Sequence, residues 1–291
     1  MKLLKQLSIV FLVVAVVAFA VNILSRTVKQ KNEHPVISME SENIQMSVVD
    51  PEEMILSGVS AQDHEDGDVS SSLVIESISM GASEKERTVT IAAFDNDNNV
   101  TKATRTVTYT DYTVPRFSLN GTLSVPTGTS MASIAQKLSA QDPIDGNISS
   151  RIQYYNANGS QFNPNVPGVY SIVFSVSNEV GLVEEFTASV EVYDKTEKLP
   201  VSIELTDNIV YVEKGGTFDP QEYISAVTAG NETYTYKNGA LVNETTNTTF
   251  DDIEIDNPVN TSVPGWYEID YTAIYDDQPA RTAYLLVRVQ E

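Results

Sequence analysis

Residues 60–71 read SAQDHEDGDVSS, and residues 139–150 read SAQDPIDGNISS. Eight of the twelve positions are identical, and the two stretches lie 79 residues apart. Ser-Ala-Gln-Asp, then Asp-Gly, then Asp or Asn, a β-branched residue and Ser-Ser is too specific a string to recur by chance. The chain is therefore built from copies of one unit. A second recurrence follows each copy. Residues 169–194 align without a gap to 86–111, and residues 266–291 align to both, although the third unit lacks the Asp-Gly stretch.

The recurring 26-residue segment predicts an antiparallel strand pair. Val89, Ile91 and Ala93 alternate with Thr88, Thr90 and Ala92, the period of a half-buried strand. Tyr170, Ile172, Phe174 and Val176 share one face, and Phe186, Ala188, Val190 and Val192 return along it. Tyr267, Ile269, Tyr271 and Ala273, then Ala283, Leu285, Val287 and Val289, fill the same columns. Pro167-Gly168 and Pro264-Gly265 introduce the second and third ribbons, and Asp95–Asn99 reads as the turn of the first. The third unit carries extra polar sequence between about Asn231 and Asn260.

These spacings predict an all-β chain of three tandem immunoglobulin-like antiparallel sandwiches after an N-terminal apolar helix. The expected divisions are 1–31 (apolar helix and basic flank), 32–112, 113–195 and 196–291, the last divergent. Short joints containing Pro115 and Pro200 would favour extended links and a rod.

Charge and composition narrow the function. Forty acids stand against 18 bases in 291 residues, for a net charge of −22. Residues 1–31 hold Lys2, Lys5, Arg26, Lys29 and Lys31 and no acid, so the body is more acidic still. Such a surface repels nucleic acid and anionic membranes. With no cysteine, disulfides, thiolate metal sites and cysteine nucleophiles are excluded. His34 and His64, the only histidines, lie in different segments, which argues against zinc or a Ser–His–Asp arrangement.

The run from Leu7 to Leu24 is interrupted only by Ser8 and Asn22. It is long enough to read as an uncleaved signal-anchor. It also reads as a cleaved signal peptide, with Ala18-Phe19-Ala20 as the cleavage site. Either way the acidic body lies outside the cytoplasm. The anchor reading places the protein in the cell membrane as a single-pass chain; the other makes it secreted.

Ser-Ala-x-Asp-x-x-Asp-Gly-Asp/Asn-Val/Ile-Ser, followed by Pro-Gly-x-Tyr and a closing strand pair, resembles the bacterial immunoglobulin-like domains named after a pesticidal crystal protein. Hyalin-type repeats look similar. The first unit matches at Ala61, Asp63, Glu65, Asp66, Gly67, Asp68 and Val69; the second matches both parts; the third matches only the second part. The resemblance implies non-catalytic sandwiches of bacterial surface proteins, used for adhesion or spacing. It supplies no ligand.

Asp63, Glu65, Asp66 and Asp68 are the candidate metal ligands, with Asp142, Asp145 and Asn147 as their counterparts. Alternating carboxylates on a Gly-containing loop can gather oxygens around calcium. The same residues also build plain turns, because Asp and Asn side chains bond their own backbone. Trp266 and the tyrosines Tyr234, Tyr236, Tyr267 and Tyr271 make the third unit the most aromatic, which suits sugar stacking, a protein contact or strand core. No catalytic or cofactor-binding constellation is apparent. The expectation is a membrane-tethered stalk, adhesion or interaction module meeting an unknown extracellular protein or glycan. The alternative is a secreted carbohydrate- or cell-wall-binding protein.

Overall fold

The computed structural model describes residues 11–23, 34–157, 159, 161–196, 201–275 and 278–291. The fold is all-β, with several mostly antiparallel sheets and an N-terminal helix over residues 11–23. Contacts divide the chain into two compact units, Met1–Tyr112 and Thr113–Glu291.

The three predicted ribbons form where the alternation placed them. Glu86–Phe94 pairs with Val100–Tyr109, Gly168–Ser177 with Val183–Tyr193, and Gly265–Tyr275 with Gln278–Val289. Each ribbon sits at the centre of a four-stranded sheet of the same order. In the first, Asn43–Met46 runs parallel to Val100–Tyr109, and Val74–Met80 lies antiparallel against Glu86–Phe94. Ser124–Pro126 and Gln153–Asn156 flank the second ribbon in the same way, and Ile209–Val212 and Ile253–Asp256 flank the third.

A further sheet accompanies each of these. Val36–Met39, Val59–Asp63 and Gly67–Asp68 form the first, and Arg116–Leu119, Leu138–Asp142 and Gly146–Asn147 the second. The third has five strands, because the extra polar sequence is not a loop. It folds into Glu232–Lys237, Ala240–Asn243 and Thr248–Thr249, and it buries Tyr234 and Leu241. The partner sheets bury their apolar faces together. Phe117, Leu138 and Ala140 meet Ile172, Phe174, Phe186 and Val190; Val201, Ile203 and Val227 meet Ile269, Tyr271 and Leu285.

Two local features run against expectation. Met131–Ala135 forms a short α-helix within a chain expected to be all-β beyond its N-terminal helix; Ser130 Oγ caps it by accepting from the Ser133 amide at 3.2 Å. Two arginines are buried in the first unit. Arg105 Nη1 donates to the carbonyls of Ile55 (2.6 Å) and Ser57 (2.7 Å) and so satisfies the end of the 3₁₀ turn Glu52–Leu56. Arg87 lies over the Tyr112 ring at 4.7 Å.

The expected membrane anchor requires correction. The helix over residues 11–23 rises about 1.5 Å per residue, or roughly 20 Å in all, against a hydrocarbon core of ~30 Å. No helix among the described residues is long and apolar enough to cross a membrane. The transmembrane helix, the membrane as partner, the tethered stalk and the single-pass cell-membrane location are therefore unsupported. Residues 7–10 and 24 of the apolar run lie outside the described residues.

Candidate functional site

The acids of the repeated loops face backbone amides. Asp63 Oδ1 accepts from the amides of Glu65 (2.7 Å) and Asp66 (2.9 Å); Asp142 Oδ1 accepts from those of Ile144 (2.8 Å) and Asp145 (3.0 Å). Asp68 Oδ1 takes the Ser70 amide at 2.9 Å, and Asn147 Oδ1 takes the Ser149 amide at 3.0 Å. Ser70 Oγ and Ser149 Oγ each accept from the preceding strand, at the Ala61 and Ala140 amides, both at 3.0 Å. Gly67 and Gly146 turn the chain with φ of 75° and 71°, a conformation open to glycine.

The aspartate before the glycine of each loop reaches across to the ribbon tip. Asp66 accepts from the Asn96 amide at 2.9 Å, and Asp145 accepts from the Glu179 amide at 2.5 Å. The loop thus clasps the hairpin of its own repeat. Glu65 is exposed beside these bonds. Among the described residues no group of three or more His, Cys, Asp or Glu is disposed to hold a metal ion.

The aromatic residues of the third unit divide. Tyr271 is fully buried, and its hydroxyl donates to the Pro220 carbonyl at 2.8 Å, so it belongs to the core. Tyr234 is buried near Phe250, with ring centroids 5.5 Å apart. Trp266 lies on the opposite face of its strand from Tyr271, against the preceding repeat. Its ring is 4.8 Å from Phe186 and 6.5 Å from Phe117. Its indole N–H donates to Glu184 Oε1 at 2.7 Å, where Arg288 Nε also donates at 2.8 Å.

The rest of this seam alternates with the core residues of the same ribbon. Leu286 is 1% exposed and packs into the cluster of Phe117 and Phe186. Glu268 accepts from Ser189, Oε2 from the amide at 2.7 Å and Oε1 from the hydroxyl at 2.6 Å. Burial raises the Glu268 pKa, and the two Ser189 bonds only partly oppose it. The Tyr211 hydroxyl accepts from the Phe117 amide at 2.6 Å and donates to its carbonyl at 3.1 Å. Burial pushes this phenol up to about 12.

Beside the seam is a cavity of about 250 Å³. Leu123, Ile203, Leu286, Tyr193 and Tyr284 are among its lining residues. Thr122, Ser124, Ser202 and Thr282 add hydroxyls, and Glu268 is the only carboxylate among its lining residues. Inspection of the sequence missed this site. Its signal was Trp266, Leu286 and Arg288 in columns where the first ribbon carries Glu86, Thr106 and Thr108. Large residues on a face that should meet water imply a cover.

No family model matches the chain, and no curated protein matches it. Three solved structures illustrate its structural likenesses. CBM51-2 in complex with GlcNAc and INT domains from Clostridium perfringens ZmpB is 19% identical, over 54% of this chain and 26% of that one, with a TM-score of 0.22. The lipoprotein BT2262 from Bacteroides thetaiotaomicron is 12% identical, over 59% and 98%, with a TM-score of 0.22. Drosophila N-cadherin EC1-4 is 15% identical, over 70% and 57%, with a TM-score of 0.21. This chain spans about a quarter of the first of these proteins. At such scores the likenesses carry no argument about what the chain does.

Proposed function

We propose that this chain is a non-catalytic, secreted protein of three immunoglobulin-like sandwiches, over residues 32–112, 113–195 and 196–291, that binds a small carbohydrate in the cavity beside the 113–195/196–291 seam. The cavity carries the proposal. Lining tyrosines suit the apolar side of a sugar ring, and hydroxyl-bearing residues with a carboxylate suit its hydroxyl groups. At about 250 Å³ it fits one small ring and not an extended chain.

Three further observations support this reading. The three four-stranded sheets share one strand order, which suits one fold in tandem. The apolar helix over residues 11–23 has the length of a signal-peptide core, with Ala18 and Ala20 at the small positions of a cleavage site. Glycoside hydrolysis ordinarily uses two carboxylates, and the cavity lining offers Glu268 alone.

Calorimetric titration of the full chain with a panel of monosaccharides and wall-glycan fragments tests the site. Binding by the wild type that is lost in Ser202→Trp, which fills the cavity, is the expected result, with the thermal midpoint unchanged. Equal binding by both proteins, or none by the wild type, would sink the proposal. Recovery of the protein from culture medium with Val21 at its N-terminus tests secretion.

A further inference from the structure

The two acidic loops differ at one buried contact. In the second repeat, Asn178 Nδ2 donates to Asp142 Oδ2 at 3.2 Å. In the first, Asp95 holds the ribbon position of Asn178, so a carboxylate stands where an amide donor stood. Asp63 Oδ2, the counterpart of Asp142 Oδ2, is buried with no hydrogen-bond partner. Asp63 and Asp95 are each 8% exposed.

The donors that reach the two carboxylates do not bridge them. Asp63 Oδ1 takes two backbone amides. Asp95 Oδ1 accepts from the amides of Asp97 (2.9 Å) and Asn99 (2.7 Å), and Oδ2 from Asn99 Nδ2 at 2.6 Å. A polar oxygen buried without a donor is unfavourable unless a donor or a positive charge joins it, and Asp95 occupies the ribbon position that supplies the donor in the second repeat.

We propose that the first repeat binds a hard divalent cation, of the calcium class, between Asp63 Oδ2 and the Asp95 carboxylate. The ion replaces the Asn178 amide of the second repeat. Calcium accepts carboxylate oxygens together with waters, so two carboxylates and solvent suffice as a weak site. The site differs from the four-residue loop read in the sequence: Asp95, from the ribbon tip, supplies the second ligand.

The test is thermal unfolding of the full chain at pH 8, in EDTA and in millimolar calcium. The wild type is expected to gain about 5 °C with calcium, by preferential binding to the folded state. Asp95→Asn restores the amide of the second repeat; it should melt no lower than wild type in EDTA and no longer respond to calcium. Asn178→Asp builds the same pair in the second repeat and should create a calcium response, which keeps the test decisive if Asp95→Asn folds poorly. A wild type indifferent to calcium overturns the proposal, whatever Asp95→Asn does in EDTA. So does an Asp95→Asn protein that folds and retains the full response.

Discussion

Replacing Leu286 by alanine should destabilise the whole Thr113–Glu291 unit and not the third repeat alone. Leu286 is 1% exposed, and its side chain lies in the cluster built around Phe117 and Phe186 of the preceding repeat. Buried Leu→Ala changes remove about 2–5 kcal/mol, the spread reflecting how far the site collapses. Rigid strands on both sides leave little room to collapse, so about 3 kcal/mol is expected. With a urea slope of about 2 kcal/mol per molar, the midpoint should fall by about 1.5 M. Trp266 is the only tryptophan in the chain and lies in the same seam, so its fluorescence reports this contact directly. Far-UV circular dichroism should move with it, because the two repeats unfold as one unit. Val183→Ala, on an exposed position of the same unit, should shift the midpoint by less than about 0.5 kcal/mol. If Leu286→Ala moves the transition no further than Val183→Ala does, the seam does not exist in solution.

Other outcomes follow from the same contacts. Tyr211→Phe should cost about 1–3 kcal/mol, since it removes the partner of both Phe117 backbone groups, and urea melts would measure it. Because burial raises the Tyr211 pKa from 10.0 to about 12, its contribution is complete below pH 10 and is lost as the pH rises toward 12; alkaline melts of wild type against Tyr211→Phe should show this. Glu268 has a raised pKa, so its ionisation opposes folding: Glu268→Gln should be the more stable protein at pH 7, and the advantage should disappear as the pH falls and the wild-type carboxyl protonates. Asp68 and Asp111 are held below the usual carboxylate range by Ser70 and by Ser47 with Val48. Their stabilisation is present above pH 3.8 and is lost as the pH falls through their folded values, so an acid titration followed by circular dichroism should show late unfolding, earlier in Asp111→Asn.

Local physics made much of this fold legible. Period-two alternation in 86–111, 169–194 and 266–291 located all three ribbons, because strand faces follow residue parity wherever one face is buried. The Ser-Ala-Gln-Asp loops were legible as turns, because Asp63 and Asp142 bond amides two and three residues ahead. The same parity explains why the seam of Trp266 and Glu268 was not legible in the sequence. Their face is the solvent side of an isolated sheet, and only a neighbouring repeat makes it an interior.

By itself, then, the amino-acid sequence determined the all-β class, the repeat, the ribbon faces and the glycine turns, all properties encoded within a few residues of one another. Tertiary structure alone decided that Leu286 meets Phe117, that a cavity opens beside Glu268, and that Asn178 reaches Asp142 while Asp63 Oδ2 is left without a donor. These pairings join segments tens to more than a hundred residues apart, and they depend on which faces the packed sheets leave for one another, which no local rule of charge or periodicity specifies.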